Sequence, residues 1–180
     1  MKKISIIIVS YNVKSYLSNS IDSIMKSSIK DFELIIIDNN SFDGSTDYIS
    51  NNYPLAKLIP NSSNVGFGKA VNQGAKIANS EYLLILNPDT IIEEDTLEIL
   101  VKYIETNVKI GMVGPKILNA DGSLQVSCKR SFPTIKSAIP KILGLDKLFP
   151  NSKLFGRYNL TFLDPDKNHV VDAISGSCML

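Results

Sequence analysis

Asn87 and Asp89, an amide and a carboxylate two residues apart, are the pair in this chain best suited to bind a metal ion. Pro88 between them cannot continue a strand, because it lacks a backbone donor and its φ is fixed. The pair therefore stands in a tight turn directly after the aliphatic run Leu83–Leu86. Carboxylate and amide oxygens suit Mg²⁺ or Mn²⁺, and substrate phosphates would complete the metal's shell. The simpler alternative is that Asp89 only caps the following helix.

The elements that must position this turn alternate between strands and helices. Predicted strands at 4–9, 31–37, 56–60 and 82–86 alternate with predicted helices at 15–26, 46–52, 68–78 and 95–106. This rhythm predicts an α/β fold with a Rossmann-like, mostly parallel central sheet and helices on both faces. Because Leu83–Leu86 shows no alternation, we expect that strand to be buried on both faces.

Polar residues follow each predicted strand, and in a parallel sheet these positions meet at one edge. Side-chain acceptors there can contact a base or a ribose, and glycines let a backbone approach a diphosphate. Each residue alone is typical of a turn, but four sets in register favour a nucleotide site. The candidates are Ser10, Tyr11 and Asn12 after the first strand, Asp38 and Asn39 after the second, Asn64, Gly66 and Gly68 after the third, and Asn87 and Asp89 after the fourth.

Other classes of site are disfavoured by their missing motifs. Gly66-Phe67-Gly68 begins like a dinucleotide fingerprint, but Val71 occupies the third glycine position, and no GxxxxGK[ST] occurs. His169 is the only histidine, which argues against a hydrolase triad. A net charge of +1 argues against a nucleic-acid partner. Two cysteines without metal-ligand spacing indicate a reducing compartment, and no apolar run is long enough to predict a membrane span.

The second half of the chain has a looser pattern. A hairpin is predicted from 112–117 and 124–126, and a last strand from 169–174. Between them, residues 129–157 carry seven basic residues against one acid among many apolar side chains, and three prolines limit any helix there to short pieces. This mixture suits contact with an anionic membrane or a lipid-diphosphate acceptor. The alternative is that the apolar residues cover the sheet and the lysines form a solvated face.

Four segments resemble, in order, the motifs of family 2 glycosyltransferases, in the branch that includes bacterial rhamnosyltransferases. They are SIIIVSYN, ELIIIDNNSFDGS, NVGFGKAVNQGAKIANSEYLLILNPDT and VDAISGSCML, and they extend over nearly the whole chain. The resemblance implies a GT-A fold, a nucleoside-diphosphate sugar donor, a divalent metal (Mg or Mn) and inversion at the anomeric carbon.

The resemblance also assigns roles by position. Tyr11 and Asp38 resemble base-binding residues, and Asp43 lies in the same donor-side loop. A donor-pocket segment is matched by Asn64, Gly66 and Asn72. Asn87 stands where the family has the first acid of its Asp-x-Asp motif, which leaves Asp89 as the main protein ligand for the metal.

The activity implied is that of an inverting, hexosyltransferase-type enzyme acting on a saccharide or lipid-linked acceptor in cell-surface polysaccharide synthesis. Its expected location is the cytoplasm, at the inner face of the membrane. Residues 1–118 are predicted to form the donor-binding α/β domain, and 119–180 to begin an acceptor-side region of the same structural unit. We expect the general base beyond Leu180, in a part that this chain lacks, with Asp172 as the candidate inside it.

Two other functions remain open on sequence alone: a sugar-phosphate nucleotidyltransferase and a non-catalytic nucleotide-sugar-binding module. The first would need a glycine-rich, basic loop after the first strand, where this chain has Ser10-Tyr11-Asn12-Val13. An apolar surface around 170–180 also favours a homo-oligomer.

Overall fold

A computed structural model describes residues 2–107 and 109–180 of the chain. It contains two compact units, one formed by Met1–Val113 with Gly176–Leu180 and the other by Gly114–Ser175. The division of labour between a donor-binding part, 1–118, and an acceptor-side part, 119–180, stays a prediction.

Apart from a two-residue strand at 178–179 that the sequence did not predict, the strands and helices of the first unit begin and end within two residues of their predicted bounds. Within the described residues, the strands of the chain are β1 Lys2–Ser10, β2 Phe32–Asp38, β3 Lys57–Pro60, β4 Ser80–Leu86, β5 Lys129–Arg130, β6 Ala173–Ile174 and β7 Cys178–Met179. The α-helices are α1 Lys14–Lys26, α2 Ser45–Asn52, α3 Phe67–Ile77, α4 Thr96–Thr106, α5 Ile135–Ile142 and α6 Leu145–Leu148.

The first unit is built on a five-stranded sheet with the order β3-β2-β1-β4-β7. The central strand β1 pairs in parallel with β2 and with β4, and β2 pairs in parallel with β3. Only β7 runs antiparallel, along β4. The prediction of a mostly parallel sheet is confirmed.

Both faces of this sheet carry an apolar core, which explains the unbroken apolar run at 6–9 in β1. Successive strand residues point to opposite faces, so a strand covered on both sides needs no polar positions. Ile4, Ile6 and Ile8 pack with residues of α1, α2 and α4, whereas Ile7 and Val9 pack with residues of α3. The expectation of helices on both faces is confirmed.

The expected burial of β4 on both faces is wrong for one of them. Leu84 and Leu86 are buried, but Leu83 is 39% exposed and Ile85 is half-buried. The helix on the Leu83 face, α3, packs over β1 and β2 and leaves β4 less covered. The apolar run thus predicts that β4 lies inside the sheet, but it does not predict how far the helix on the Leu83 face extends over it.

The predicted hairpin is present only close to its turn, where the Gln125 nitrogen donates to the Ile117 carbonyl at 2.9 Å and the Asn119 nitrogen donates to the Ser123 carbonyl at 2.8 Å. Leu118 and Leu124 form a single antiparallel bridge, and Val126–Cys128 is a 3₁₀ turn. Val113 instead exchanges two backbone hydrogen bonds with Leu180, of 2.8 and 2.9 Å. The last predicted strand, 169–174, shortens to β6, which pairs antiparallel with β5. The prediction that prolines keep helices short between 129 and 157 is confirmed by α5 and α6, of eight and four residues.

Candidate functional site

The carboxyl ends of the parallel strands meet at one edge of the sheet, as the sequence predicts. Ser10 stands opposite Asp38 in the register of β1 and β2, and Asp38 stands opposite Pro60 of β3. On the other side of β1, Ile8 stands opposite Leu86, the last residue of β4. The loops that carry most of the candidate residues therefore leave the sheet side by side.

One hydrogen-bonded network joins the loops after β1 and β2. Asp38 is fully buried, and its two carboxylate oxygens accept from the Ser41 backbone nitrogen and the Ser41 hydroxyl. The Ser41 hydroxyl also accepts from the backbone nitrogen of Asn12 at 2.9 Å, and Asn12 Oδ1 accepts from the Phe42 nitrogen. Asn12 has a left-handed φ of 54°. These polar residues hold two loops in shape, and Tyr11, 45% exposed, stands on the first of them.

Asp43 ties the same loop to the first turns of α1 and α2. Its Oδ2 accepts from the Lys14 nitrogen at 2.8 Å, and its Oδ1 accepts from the nitrogen and hydroxyl of Ser45. Partial burial, the largest single influence, acts to raise the pKa of Asp43, but the hydrogen bonds from Ser45 and Lys14 outweigh it and hold the pKa below its usual value. Asp43 is therefore an ionised cap for two helices.

A depression of about 400 Å³ lies beside this cap. Its lining residues are Asn12, Val13, Lys14, Ser15, Tyr16, Ser18, Asp43 and Tyr48. The Lys14 ammonium stands 5.3 Å from the centroid of the Tyr48 ring, a cation–π distance. Two predicted donor-side residues, Asn12 and Asp43, thus border one concavity.

Three amides form a second network at the ends of β2 and β3. Asn61 and Gln73 pair reciprocally, with N–O distances of 3.0 and 2.9 Å, and Asn61 Nδ2 also donates to Asn39 Oδ1 at 2.9 Å. Asn39 is 3% exposed, and no hydrogen bond to another described residue engages its Nδ2. The network therefore fixes which way the Asn39 amide faces and leaves its donor group unpaired within the described part of the chain.

The loop before α3 has the geometry of a backbone binding loop. Gly66 adopts φ 83° and ψ 159°, a conformation that L-residues rarely adopt, and its nitrogen donates to Asn64 Oδ1 at 2.9 Å. A Cβ at Gly66 or at Gly68 would meet nothing within 4 Å, so open space borders both. Asn72 is exposed one turn further along α3. The first turn of α3 offers free N–H groups, which favour an anion.

The turn after β4 is anchored to the segment before β7. The Asn87 nitrogen and the Thr90 hydroxyl both donate to the Ser177 carbonyl, at 2.9 and 3.2 Å. Asp89 is exposed and forms no hydrogen bond or ion pair with another described residue. Backbone bonds thus fix the turn while the Asp89 carboxylate stays open to a ligand.

Asn87 and Asp89 fit a metal only in partnership with a substrate. Across residues 2–107 and 109–180, no three His, Cys, Asp or Glu side chains lie close enough to hold one ion. The turn therefore supplies at most one carboxylate and one amide. Mg²⁺ is commonly bound by one or two carboxylates together with substrate phosphates and water, and this donor set fits that arrangement.

Two predicted residues have positions that limit direct contact with a ligand. Ser10 is fully buried, and its hydroxyl has no hydrogen-bond partner within the described part of the chain. Asp172 belongs to the second unit, where its Oδ2 accepts from the Phe132 nitrogen at 3.0 Å beside the β5–β6 pair.

The sequence did not predict the residues that hold the candidate site residues in place by hydrogen bonds. Ser41, Asn61, Gln73 and Ser177 are not among the predicted site residues, and their bonds join positions up to 87 residues apart. For Ser41 a signal existed, because it lies between Asp38 and Asp43 in a loop of turn-forming residues. For Asn61 the signal was its position directly after the predicted strand 56–60, whereas the roles of Gln73 and Ser177 depend on packing that no local pattern predicts.

Comparison with known proteins gives one family match, to the family described as Glycosyl transferase family 2, over residues 5–165. An N-acetylglucosaminyl-diphospho-decaprenol L-rhamnosyltransferase of Mycobacterium tuberculosis is 25% identical over 97% of this chain and 60% of its own length. A poly-beta-1,6-N-acetyl-D-glucosamine synthase of Staphylococcus epidermidis is 28% identical over 84% of this chain and 40% of its own length. The chain thus spans between two-fifths and three-fifths of these relatives.

Solved structures share the fold. Staphylococcus aureus TarS in complex with UDP-GlcNAc matches with a TM-score of 0.60 and 25% identity, over 72% of this chain and 39% of that one. A mannosyltransferase of Pyrobaculum calidifontis in complex with GDP-Man and Mn²⁺ matches with a TM-score of 0.59 and 22% identity, over 65% and 36%.

Proposed function

The chain belongs to glycosyl transferase family 2 and has the GT-A fold, and we propose from this that its first unit binds a nucleoside-diphosphate sugar as glycosyl donor. The observation that carries the proposal is Asp89, an exposed carboxylate without a partner among the described residues, on a turn fixed to the Ser177 carbonyl. Such a group at the carboxyl edge of a parallel sheet is placed to meet a ligand.

The base and the diphosphate of the donor each have a matching group at this edge. The exposed ring of Tyr11 offers a stacking wall for the base. The first turn of α3 offers backbone N–H groups to the diphosphate, and the open space at Gly66 and Gly68 allows its approach. Asp89, with Asn87, would hold a divalent metal together with the phosphates. The complex of the archaeal mannosyltransferase with GDP-Man and Mn²⁺ supports this last assignment by analogy of fold.

The reaction proposed is transfer with inversion, in which an acceptor hydroxyl attacks the anomeric carbon from the face opposite the diphosphate. A bound divalent cation would neutralise negative charge on the departing diphosphate. Asn12, Asp38 and Asp43 shape the loops around the base and ribose. Both oxygens of Asp38 and of Asp43 accept hydrogen bonds from Ser41, Ser45 or Lys14, and a proton on either carboxylate would displace one of these donors, which argues against either residue as the general base. The general base stays a prediction.

The acceptor proposed is a saccharide or a lipid-linked saccharide used in cell-surface polysaccharide synthesis, reached from the cytoplasm. The names of the mycobacterial and staphylococcal relatives support this class, since one acts on a decaprenol-linked sugar and the other makes a polysaccharide. No helix in the described part of the chain is both long and apolar enough to span a membrane. A non-catalytic nucleotide-sugar-binding module would share the donor site but show no transfer.

Calorimetric titration with UDP, dTDP and GDP, in Mg²⁺, in Mn²⁺ and in EDTA, tests the donor site. We expect one nucleotide to bind with a metal-dependent affinity, and Asp89→Asn to lower that affinity about tenfold or more, the equivalent of ~1.4 kcal/mol. The matched control is Asp31→Asn, which makes the same charge change at the amino end of β2, where Asp31 pairs with Lys2.

The outcomes separate the assignments. If Asp89→Asn binds nucleotide with the wild-type metal dependence, the metal site lies elsewhere. If wild-type protein binds none of the three nucleotides, the proposed donor site is wrong. Incubation with labelled donor and a saccharide acceptor then separates a transferase from a module that only retains the donor.

A further inference from the structure

The helix α5 turns its apolar side chains outward. Ile135, Ile139 and Ile142 are 79%, 50% and 81% exposed, and the spacing i, i+4, i+7 places them on one face. Leu143, 65% exposed, extends that face beyond the end of the helix. The side turned inward carries Ser137 and Pro140, both buried. This is the reverse of a helix that covers a core.

Several contacts hold α5 in this orientation. Thr134 and Ser137 form a reciprocal capping box at its start, with the Ser137 nitrogen bonded to Thr134 Oγ1 and the Thr134 nitrogen to Ser137 Oγ. Ser137 Oγ also reaches the Phe132 carbonyl at 3.2 Å. Near the other end, the Lys141 ammonium lies 3.9 Å from the centroid of the Tyr158 ring. The outward face is therefore a fixed feature of the second unit.

The chain after α5 adds more exposed apolar residues. Leu148, Phe149 and Leu154 are 70%, 53% and 63% exposed, and the Phe149 ring packs 5.6 Å from the ring of Phe155. We call these three residues, with the outward face of α5, the α5–α6 surface. Single exposed apolar residues are ordinary, but a concentration of them within twenty residues of one compact unit marks an interaction site.

The charge around this surface has one sign. Residues 129–157 contain seven basic residues and one acid, Asp146. Lys136, Lys147 and Lys153 are exposed, and none of the seven basic residues forms an ion pair within the described ranges. A partner for the α5–α6 surface must therefore be apolar and negatively charged at once.

We propose that the α5–α6 surface docks on the interface of an anionic lipid bilayer. Short amphipathic helices with aliphatic and aromatic residues on one side and lysines beside them insert at the boundary of head groups and acyl chains. Anionic head groups supply the negative charge that these lysines do not find within the described part of the chain. Each lysine near the membrane surface adds to the electrostatic attraction. A second copy of this chain is a poorer occupant, because it would bring a like-charged segment against the first.

Flotation of the protein with vesicles tests the proposal without nucleotide, so its outcome does not depend on the proposed donor site. Vesicles of phosphatidylcholine with phosphatidylglycerol should bind the wild type, and vesicles of phosphatidylcholine alone should bind it less. Ile142→Glu should weaken partitioning roughly tenfold or more, because it removes apolar contact and adds a repelled charge. Lys136→Gln and Lys147→Gln should each weaken it about five-fold.

The matched control is Leu55→Glu, since Leu55 is 95% exposed in the first unit and the change is of the same kind. It should bind vesicles as the wild type does, and thermal unfolding should show that every variant is folded. The proposal is overturned if the wild type does not float with anionic vesicles at low salt, or if Ile142→Glu and Leu55→Glu float equally. It is also overturned if sizing shows a dimer that Ile142→Glu dissociates, because the occupant would then be a second copy.

Discussion

Both carboxylate oxygens of Asp38 are engaged by one residue, Ser41, whose nitrogen and hydroxyl each lie 2.7 Å from them. Asp38 is fully buried, and the Ser41 hydroxyl also accepts from the Asn12 nitrogen, which connects the loop that carries Tyr11. A residue that the sequence assigns to the base is thus well placed to act on the nucleotide through the loops. Direct contact would require those loops to open.

This relationship predicts that Ser41→Ala and Asp38→Asn weaken nucleotide binding by similar factors. Ser41→Ala removes one hydrogen bond to Asp38, and Asp38→Asn weakens the same bond, so each should lower the free energy of unfolding by about 1 kcal/mol. Calorimetry with UDP and dTDP, together with urea denaturation, checks both effects. Ser50→Ala is the control, since the Ser50 hydroxyl bonds only the Thr46 carbonyl on the exposed side of α2. A large loss of affinity in Asp38→Asn with wild-type affinity in Ser41→Ala would instead show direct contact.

The sequence predicts the fold well where local pattern and burial agree. The runs 6–9 in β1 and 34–37 in β2 are apolar because helices cover both faces of these strands, and polar turns mark the strand ends at Ser10 and Asp38. The pattern fails at Leu83, where an aliphatic residue is exposed, and at Val113, which pairs with Leu180 across 67 residues. Hydrophobic periodicity reports only local preference for burial and secondary structure. The exposure of Leu83 and the pairing of Val113 depend on which distant element packs beside each residue.

Prediction of the candidate site from the sequence is limited in the same way. Polar residues after strands are readable because topology brings strand ends together, as with Ser10 and Asp38. The sequence does not predict their roles, because a carboxylate that stabilises a loop differs from one that binds a ligand only in its hydrogen bonds. Asp89 has no partner among the described residues, whereas both oxygens of Asp43 are engaged. The direct roles assigned to these residues stay predictions that variants must test.

Asp43 should make stability depend on pH in the acid range. Partial burial acts to raise its pKa, but hydrogen bonds from Ser45 and Lys14 hold the pKa below its usual 3.8. A carboxylate with a lower pKa in the folded than in the unfolded chain stabilises the fold fully above 3.8, and this contribution is lost as pH falls through the folded value. The free energy of unfolding should therefore differ most between wild type and Asp43→Asn at neutral pH, and the difference should shrink below about pH 4.

Urea denaturation at stepped pH values measures this difference. Ser45→Ala serves as the comparison, because it keeps the carboxylate but removes the Ser45 hydroxyl, one of its donors. It should show a smaller acid-dependent loss than the wild type. A constant gap between wild type and Asp43→Asn from neutral to acid pH would mean that the cap does not depend on the charge of Asp43.

The two helical glycines of α3 should respond in opposite ways to alanine. At Gly74 a Cβ would lie 2.7 Å from Ile7 Cγ2 and 3.3 Å from Ile7 Cγ1, and Ile7 is fully buried in the central strand. Overpacking of this kind costs about 1–3 kcal/mol, whereas alanine gains only about 1 kcal/mol in helix propensity. Gly74→Ala should therefore lower the free energy of unfolding by roughly 1 kcal/mol, measured in urea.

At Gly68 the same substitution meets open space, so the gain in helix propensity is unopposed and stability should rise by up to about 1 kcal/mol. Nucleotide binding should nevertheless weaken, because the added methyl group would stand where the proposed diphosphate approaches the first turn of α3. Gly74→Ala, which changes stability inside the core, is the control for affinity and should bind nucleotide as the wild type does. If Gly68→Ala gains stability and keeps full affinity, the open space at Gly68 is not where the diphosphate lies, and the anion site at the start of α3 must be abandoned.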